Sequence, residues 1–393
     1  MRIRHVAGVL ALCASLGSLL ATGPASAEDE VKVGLLLPFS GVYAGLGTHI
    51  ENGFNLGLEH FGGELEGITI AIERADTEAK PATGLAKAKK MVLQDKVDVL
   101  AGIVSSAVLG GLRDFVHGAK MPLIVANAGN DTMTGPKCSP YITRVSFSNG
   151  MINRPMGPWL AAQGVKKVYA MAPDYAAGHQ MIEAFKATFI AAGGEVIGEA
   201  FPPLSGTKDY GPYISAAKAA GPDAIYTFFA GGAAITFVKQ YSDFGLKKEI
   251  PLYGAGFLTS AAYVHVQGEA ADGIVAALHY VPTIDTAENK RFQEAYQAKH
   301  EKVGSEFAVQ GYDAARMIVE ALKAAGGDKG KLAENLRKVR FDGPRGPLEI
   351  DPKTNNVVQS IYIFRNDFKD GAVTQTVLDK VEGVRDEVNG CAM

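Results

Sequence analysis

The chain has 393 residues, 47% of them hydrophobic, enough for a large core and for two domains rather than one. Lysines and arginines number 39 against 42 aspartates and glutamates, with no block of like charge, which argues against nucleic acid and anionic membrane surfaces as main partners. Beyond residue 27 no stretch is long and apolar enough to span a bilayer.

Residues 1–27 read as a secretory signal peptide: Arg2 and Arg4, the apolar run "VAGVLALCASLGSLLA", then "ASA" ahead of Glu28. The run is short for an anchor and is followed by Pro24 and small residues. Leu12, before Cys13, is too bulky for a lipoprotein signal. Cleavage after Ala27 removes two arginines and no acids, so the formal charge moves from −3 to −5. Two cysteines, Cys138 and Cys391, remain in the exported chain. In an oxidising compartment they form one disulfide that ties down the tail, or they stay as one buried and one exposed thiol; the sequence leaves both open.

From there strand-length apolar runs alternate with helical periods. "VKVGLLLPFSG", "ITIAIERAD", "VDVLAGIVS" and "MPLIVANAG" are separated by "THIENGFNLGLEHFGG", "PATGLAKAKKMVLQD" and "SAVLGGLRDFVHG". Runs nearly continuous in Val, Ile and Leu predict strands covered by helices on both faces, an α/β fold with a parallel, doubly wound sheet. The stretch 138–149, "CSPYITRVSFSN", reads as a crossover, after which the pattern starts again with "KKVYAMAPDYA", "EVIGEAFPP", "DAIYTFFAGG" and "IPLYGAGFLT". Two such series predict two similar lobes with a cleft between them. Two long helical patterns, "AENKRFQEAYQAKHEKVG" and "FAVQGYDAARMIVEALKAAGG", come next, and "PLEIDPKTNNVVQSIYIFRNDF" reads as a hairpin turning at Asn355-Asn356. The expected division is residues 28–148 with 280–350 as lobe 1, and 149–279 with 351–393 as lobe 2.

Signatures of catalysis and cofactors are missing. The "GLG" at 45–47 and "GAG" at 254–256 lack the third glycine of a dinucleotide fingerprint, and no phosphate-binding "GxxxxGK[ST]" loop or "GxSxG" elbow occurs. The histidines are scattered through helical patterns. The expectation is a binding protein without cofactor or metal, and not an enzyme.

In an open α/β sheet, ligands bind beyond the carboxyl ends of the strands. Those positions hold Phe39, Ser40 and Tyr43, then Ser105 and Ser106, then Asn127, Ala128 and Gly129. The second series gives Asp174 and Tyr175, then Phe229, Ala230 and Gly231, then Gly254, Gly256 and Phe257. Small residues, hydroxyls and aromatic rings dominate, and formal charge is nearly absent. Ser105 and Ser106 open a helix, either as plain caps or as the donor end of an anion site. Tyr43, Tyr175 and Phe229 are core aromatics when taken singly; together they would line a crevice with π-faces.

In order, the stretches "VKVGLLLPFSGVYAGLG", "AGIVSSA", "PLIVANAG", "SPYITRVSFSN", "MAPDYAAG", "DAIYTFFAGG" and "FAVQGYDAA" resemble the type I periplasmic solute-binding proteins of the branched-chain amino-acid (leucine/isoleucine/valine) binding family. The resemblance runs through nearly all of the chain beyond the signal. It implies two Rossmann-like lobes joined by a three-crossover hinge, closure around a small ligand, a periplasmic monomer, and delivery to the permease of an ABC importer. It puts Ser106, with Ser105 as its alternative, at the carboxylate-binding position. Asn127 and Gly129 fall in a contact loop, and Tyr175 in the second lobe faces the ligand. One departure stands out. Amino-acid binders place a carboxylate near the "PLYGAGF" strand for the ligand ammonium, whereas this loop reads Gly254, Ala255, Gly256, Phe257. A buried ammonium without a counter-charge costs several kcal/mol. The expected ligand is therefore an aromatic acid, a benzoate or phenylpropanoid. An amino acid is the alternative if Asp174 or Asp313 reaches the cleft, and a periplasmic ligand sensor is the alternative role.

Overall fold

The computed structural model describes residues 29–393, so the signal-peptide reading of 1–27 lies outside the described residues. Five parallel strands build the sheet of lobe 1: β1 (Asp29–Leu37), β2 (Ile68–Asp76), β3 (Val99–Gly102), β4 (Leu123–Val125) and β5 (Ile142–Arg144), in the order β2-β1-β3-β4-β5. The central strands β3 and β4 are buried along their whole length, as their unbroken apolar runs require. Helices α1 (Ala44–Phe61), α2 (Pro81–Lys90) and α3 (Ser106–Gly118) connect them.

Lobe 2 opens with α4 (Asn149–Asn153) and α5 (Met156–Ala162) and repeats the scheme with β6 (Lys167–Met171), β7 (Glu195–Ala200), β8 (Ala224–Thr227), β9 (Leu252–Ala255) and β10 (Val275–Leu278). These strands are parallel in the order β7-β6-β8-β9-β10. Between them run α6 (Ala176–Ala191), α7 (Gly211–Ala220), α8 (Gly232–Asp243) and α9 (Val264–Gln267). The chain then returns to lobe 1 with α10 (Ala287–His300), α11 (Glu306–Ala324), α12 (Leu332–Leu336) and the hairpin of β11 (Arg340–Gly343) and β12 (Gly346–Asp351). Glycines let α11 lie directly on α1. A methyl group on Gly311 would fall 1.9 Å from the Ile50 carbonyl oxygen, and one on Gly53 would fall 1.8 Å from that of Ala308.

One strand belongs to both sheets. β13 (Asn356–Lys369) begins against Arg144 of β5 and β12, then pairs antiparallel with β10 in lobe 2. It turns at Asp370 and Gly371, with φ of 53° and 80°, into β14 (Ala372–Val384). Those left-handed angles suit an Asp-Gly hairpin turn. The lobes are thus joined by the segment after β5, the segment after β10, and β13 itself.

The tail beyond β14 does not stay with lobe 2. It returns to lobe 1, where Cys391 is disulfide-bonded to Cys138 with Cα atoms 5.5 Å apart. On the way, the buried Asp386 accepts hydrogen bonds from Ser148 (2.5 Å), Thr134 (2.8 Å) and Asn356 (3.0 Å) and pairs with Arg154 at 2.6 Å and Arg144 at 3.5 Å. Among the described residues no helix is long and apolar enough to cross a membrane.

Candidate functional site

The loops after β1, β3, β4, β5, β6, β8 and β9 meet at the gap between the lobes, where this structure leaves a cavity of about 20 Å³, room for about one water. Lobe 1 shapes its side of the cavity with a strained turn. After β3, Gly102 and Ile103 both take positive φ, 114° and 65°. For a β-branched residue that conformation costs about 1–3 kcal/mol and persists only when its surroundings hold it. The Ile103 N–H donates to the Leu36 carbonyl at 2.8 Å, and its own carbonyl accepts from Ala128 at 2.9 Å, so neighbouring strand ends clamp it on both sides. The turn starts α3 with Ser106 at the cavity wall. Ser105, one residue earlier, is buried outside that wall, and its hydroxyl neither caps the helix nor finds another partner.

The β4 loop brings Asn127 and Gly129 to the cavity. Asn127 Nδ2 donates to Gln310 of α11 at 2.7 Å, and Gln310 in turn meets His279 at 3.1 Å. At Gly129 only hydrogen fits: a Cβ would lie 2.3 Å from Asn149 Oδ1 and 2.6 Å from the Phe147 ring. Asn149 donates to Gln180 at 2.7 Å and to the Ser106 hydroxyl at 3.3 Å, leaving its buried Oδ1 without a partner.

The Tyr43 hydroxyl, from the turn before α1, reaches across to lobe 2 and donates to the Tyr175 hydroxyl at 2.9 Å. Burial pushes the Tyr43 phenol up to about 12 and Tyr175 well above its ordinary value, so both stay neutral. Aromatic rings complete the wall: Phe257 stacks on Phe307 at 5.7 Å and tilts against Phe147 at 5.0 Å, while Phe228 lies 6.4 Å from Tyr175. Tyr263 fixes this end of lobe 2, its hydroxyl donating to the Phe257 carbonyl and accepting from Gly231 N–H. Leu46, Val104, Ala177, Met181 and Ala230 fill the remaining wall, so no formally charged side chain lines the cavity.

Of the strand-end candidates, Tyr43, Ser106, Asn127, Gly129, Tyr175, Ala230 and Phe257 meet in this cavity. Others lie elsewhere. Phe39 sits on the rim beneath the Arg74 guanidinium, 3.4 Å from its ring centre. Ala128 faces the core behind β4, and Gly256 is pressed against Leu278 and Phe364. Phe229 points into the core of lobe 2 against Phe237 and Tyr210, because side chains alternate along an extended chain and Phe228 takes the cavity side. Phe147, Asn149 and Phe307 were not singled out in the sequence. Only their adjacency to the crossover "RVSFSN" and to the start of "FAVQGYDAA" signals them. Neither candidate counter-charge reaches the cavity. Asp174 is exposed and paired with His179 at 2.8 Å, and Asp313 is buried against Arg345 at 2.8 Å.

The profile of the family described as periplasmic binding protein matches residues 30–372. A Leu/Ile/Val-binding protein homolog from Brucella melitensis is 32% identical over 346 residues, 86% of this chain and 88% of its own length. A solute-binding protein of an R. palustris ABC transporter, solved in complex with benzoate, is 36% identical with a TM-score of 0.85, over 93% of this chain and 100% of the other. A Rhodopseudomonas palustris BisB5 solute-binding protein, solved with 3,4-dihydroxybenzoic acid, is 34% identical with a TM-score of 0.87, over 91% and 99%. With the family profile covering most of the chain and a relative above 30% identity, the chain belongs to the periplasmic binding protein family.

Proposed function

We propose that the chain is the extracytoplasmic solute-binding component of an ABC importer, that it captures a single-ring aromatic carboxylate between its lobes, and that it delivers it to the permease. The observation that carries this reading is an interlobe cavity walled by four phenylalanines and two neutral tyrosines, with hydroxyl and amide groups at the start of α3 and no carboxylate for an ammonium. A benzoate satisfies both halves, its ring on the π-faces and its carboxylate on the donors beside Ser106. An amino acid would bury an unpaired ammonium. The benzoate and dihydroxybenzoate bound by the R. palustris relatives support the same solute class. In this reading the exported protein works as a periplasmic monomer without catalysis, and its three interlobe segments flex as the cleft opens.

The test is a thermal-shift screen of ligand-stripped protein followed by calorimetry, with benzoate, hydroxybenzoates, phenylpropanoids, leucine and valine in the panel. A solute at 100 times its Kd adds about 2.7 kcal/mol of stability, which is readily seen. Tight binding of leucine or valine with no response to any aromatic acid would overturn the proposed ligand class and favour the role suggested by the Leu/Ile/Val-binding relatives.

A further inference from the structure

Glu306 is the first residue of α11, in lobe 1, and only 1% of it is exposed. Much of what encloses it comes from the other lobe. The Ser260 hydroxyl and the Ala261 N–H, after β9, lie against its carboxylate, and Tyr263 faces it from the same segment. Tyr280, on the segment after β10, faces it as well. One carboxylate oxygen, Oε1, has no hydrogen-bond partner.

Among the described residues no cation pairs with Glu306, and none is among the groups that act on its carboxyl. Arg345 is held by Asp313, two turns further along α11, at 2.8 Å. His49 on α1 bonds to the Tyr296 hydroxyl at 3.2 Å and stands among Lys302, His300 and His265. A carboxyl buried without a cation is best relieved by a proton. Burial holds Glu306 far above the carboxylate range, at about 7, against the smaller opposing pull of Ser260 and Ala261. The next residue, Phe307, is part of the cavity wall and stacks on Phe257 of lobe 2.

We propose that Glu306 is a proton-linked latch between the lobes: closure around a solute takes up a proton at this carboxyl, so capture tightens as the medium acidifies. The inference rests on hinge closure in the proposed function and not on the identity of the solute. Below the pH at which the closed form loses its proton, closure gains in step with proton concentration, and well above it the gain is gone.

The experiment is calorimetric titration of the full exported chain with benzoate and, in parallel, with leucine, at pH 6, 7 and 8 in two buffers of different ionisation enthalpy. Whichever probe binds should bind roughly tenfold more tightly at pH 6 than at pH 8, with uptake of about 0.5 proton at pH 7. Glu306→Gln, a permanently neutral isostere, should flatten the profile, remove that uptake and hold the tighter affinity at pH 8. Unchanged pH dependence in Glu306→Gln, or no proton uptake by the wild type, overturns the latch. Binding of leucine but not benzoate overturns the aromatic reading while the latch is still read. If neither probe binds, small-angle scattering decides. Under the latch, wild-type protein expands between pH 6 and pH 8 and Glu306→Gln does not; matching profiles reject it.

Discussion

Tyr43 and Tyr175 meet hydroxyl to hydroxyl across the cleft, and that 2.9 Å bond joins the two lobes directly. Tyr175→Phe keeps the ring and removes the acceptor, stranding a buried Tyr43 hydroxyl. Benzoate affinity should weaken by about 0.5–1.5 kcal/mol, a factor of roughly 2–10, with little change in Tm. Calorimetry and a melting curve on the same sample check this; an equal fall in Tm with unchanged affinity would mean that Tyr175 serves the fold alone. At this scale the sequence was only partly legible. "DAIYTFF" announces two phenylalanines at a strand end, but which one faces the cleft depends on the register of β8 against β6 and β9, fixed by residues far away. Glu306 was hidden for a related reason: in "SEFAVQG" it reads as a solvated first-turn acid, and burial by the opposite lobe leaves no mark in the local pattern.

At the scale of elements, the α1–α11 contact depends on absent side chains. Gly311→Ala drives a methyl into the Ile50 carbonyl, and the helices must shift apart. Overpacking of this kind costs about 1–3 kcal/mol, to be read as a lower denaturant midpoint with unchanged m-value. The tail makes a second case. Asp386→Ala leaves Arg144, 2% exposed, without its carboxylate and removes the anchor of Arg154, Ser148 and Asn356 as well. The expected loss is about 3–5 kcal/mol by chemical denaturation, as for other broken buried pairs. A loss below 1 kcal/mol would show that water replaces Asp386. Alternation of strand and helix made the parallel sheets legible, because a strand covered on both faces must be apolar throughout. The β12–β13 hairpin was legible from its Asn-rich turn, but β14 was not, because "TVLDKVEGV" is exposed on most positions and carries no buried face to report.

For the whole molecule the narrow gap between the lobes bears on solute size. At about 20 Å³ it lies far below small-molecule sites, which run from about 300 to 1,000 Å³, so a bound ring must part the lobes, and a longer solute must part them further. Benzoate and hydroxybenzoates should therefore bind at least about tenfold more tightly than phenylpropanoids, whose three-carbon tail must hold the lobes further apart, a difference of about 1.4 kcal/mol. Competition calorimetry measures it, and equal affinities would mean that the cleft closes to different extents around different solutes.

The sequence by itself determined the α/β class, the twofold repetition of the βα series and the neutral, aromatic character of the strand-end loops. All three follow from local composition and periodicity, which each segment carries alone. Tertiary structure decided which of those residues share one cavity and which turn into the core, because strand register is a relation between distant segments. It also decided that Cys138 and Cys391 are joined. Only the packed molecule brings Glu306 against Ser260 and Ala261, because the charge state of a buried group depends on what surrounds it in space and not on its neighbours along the chain.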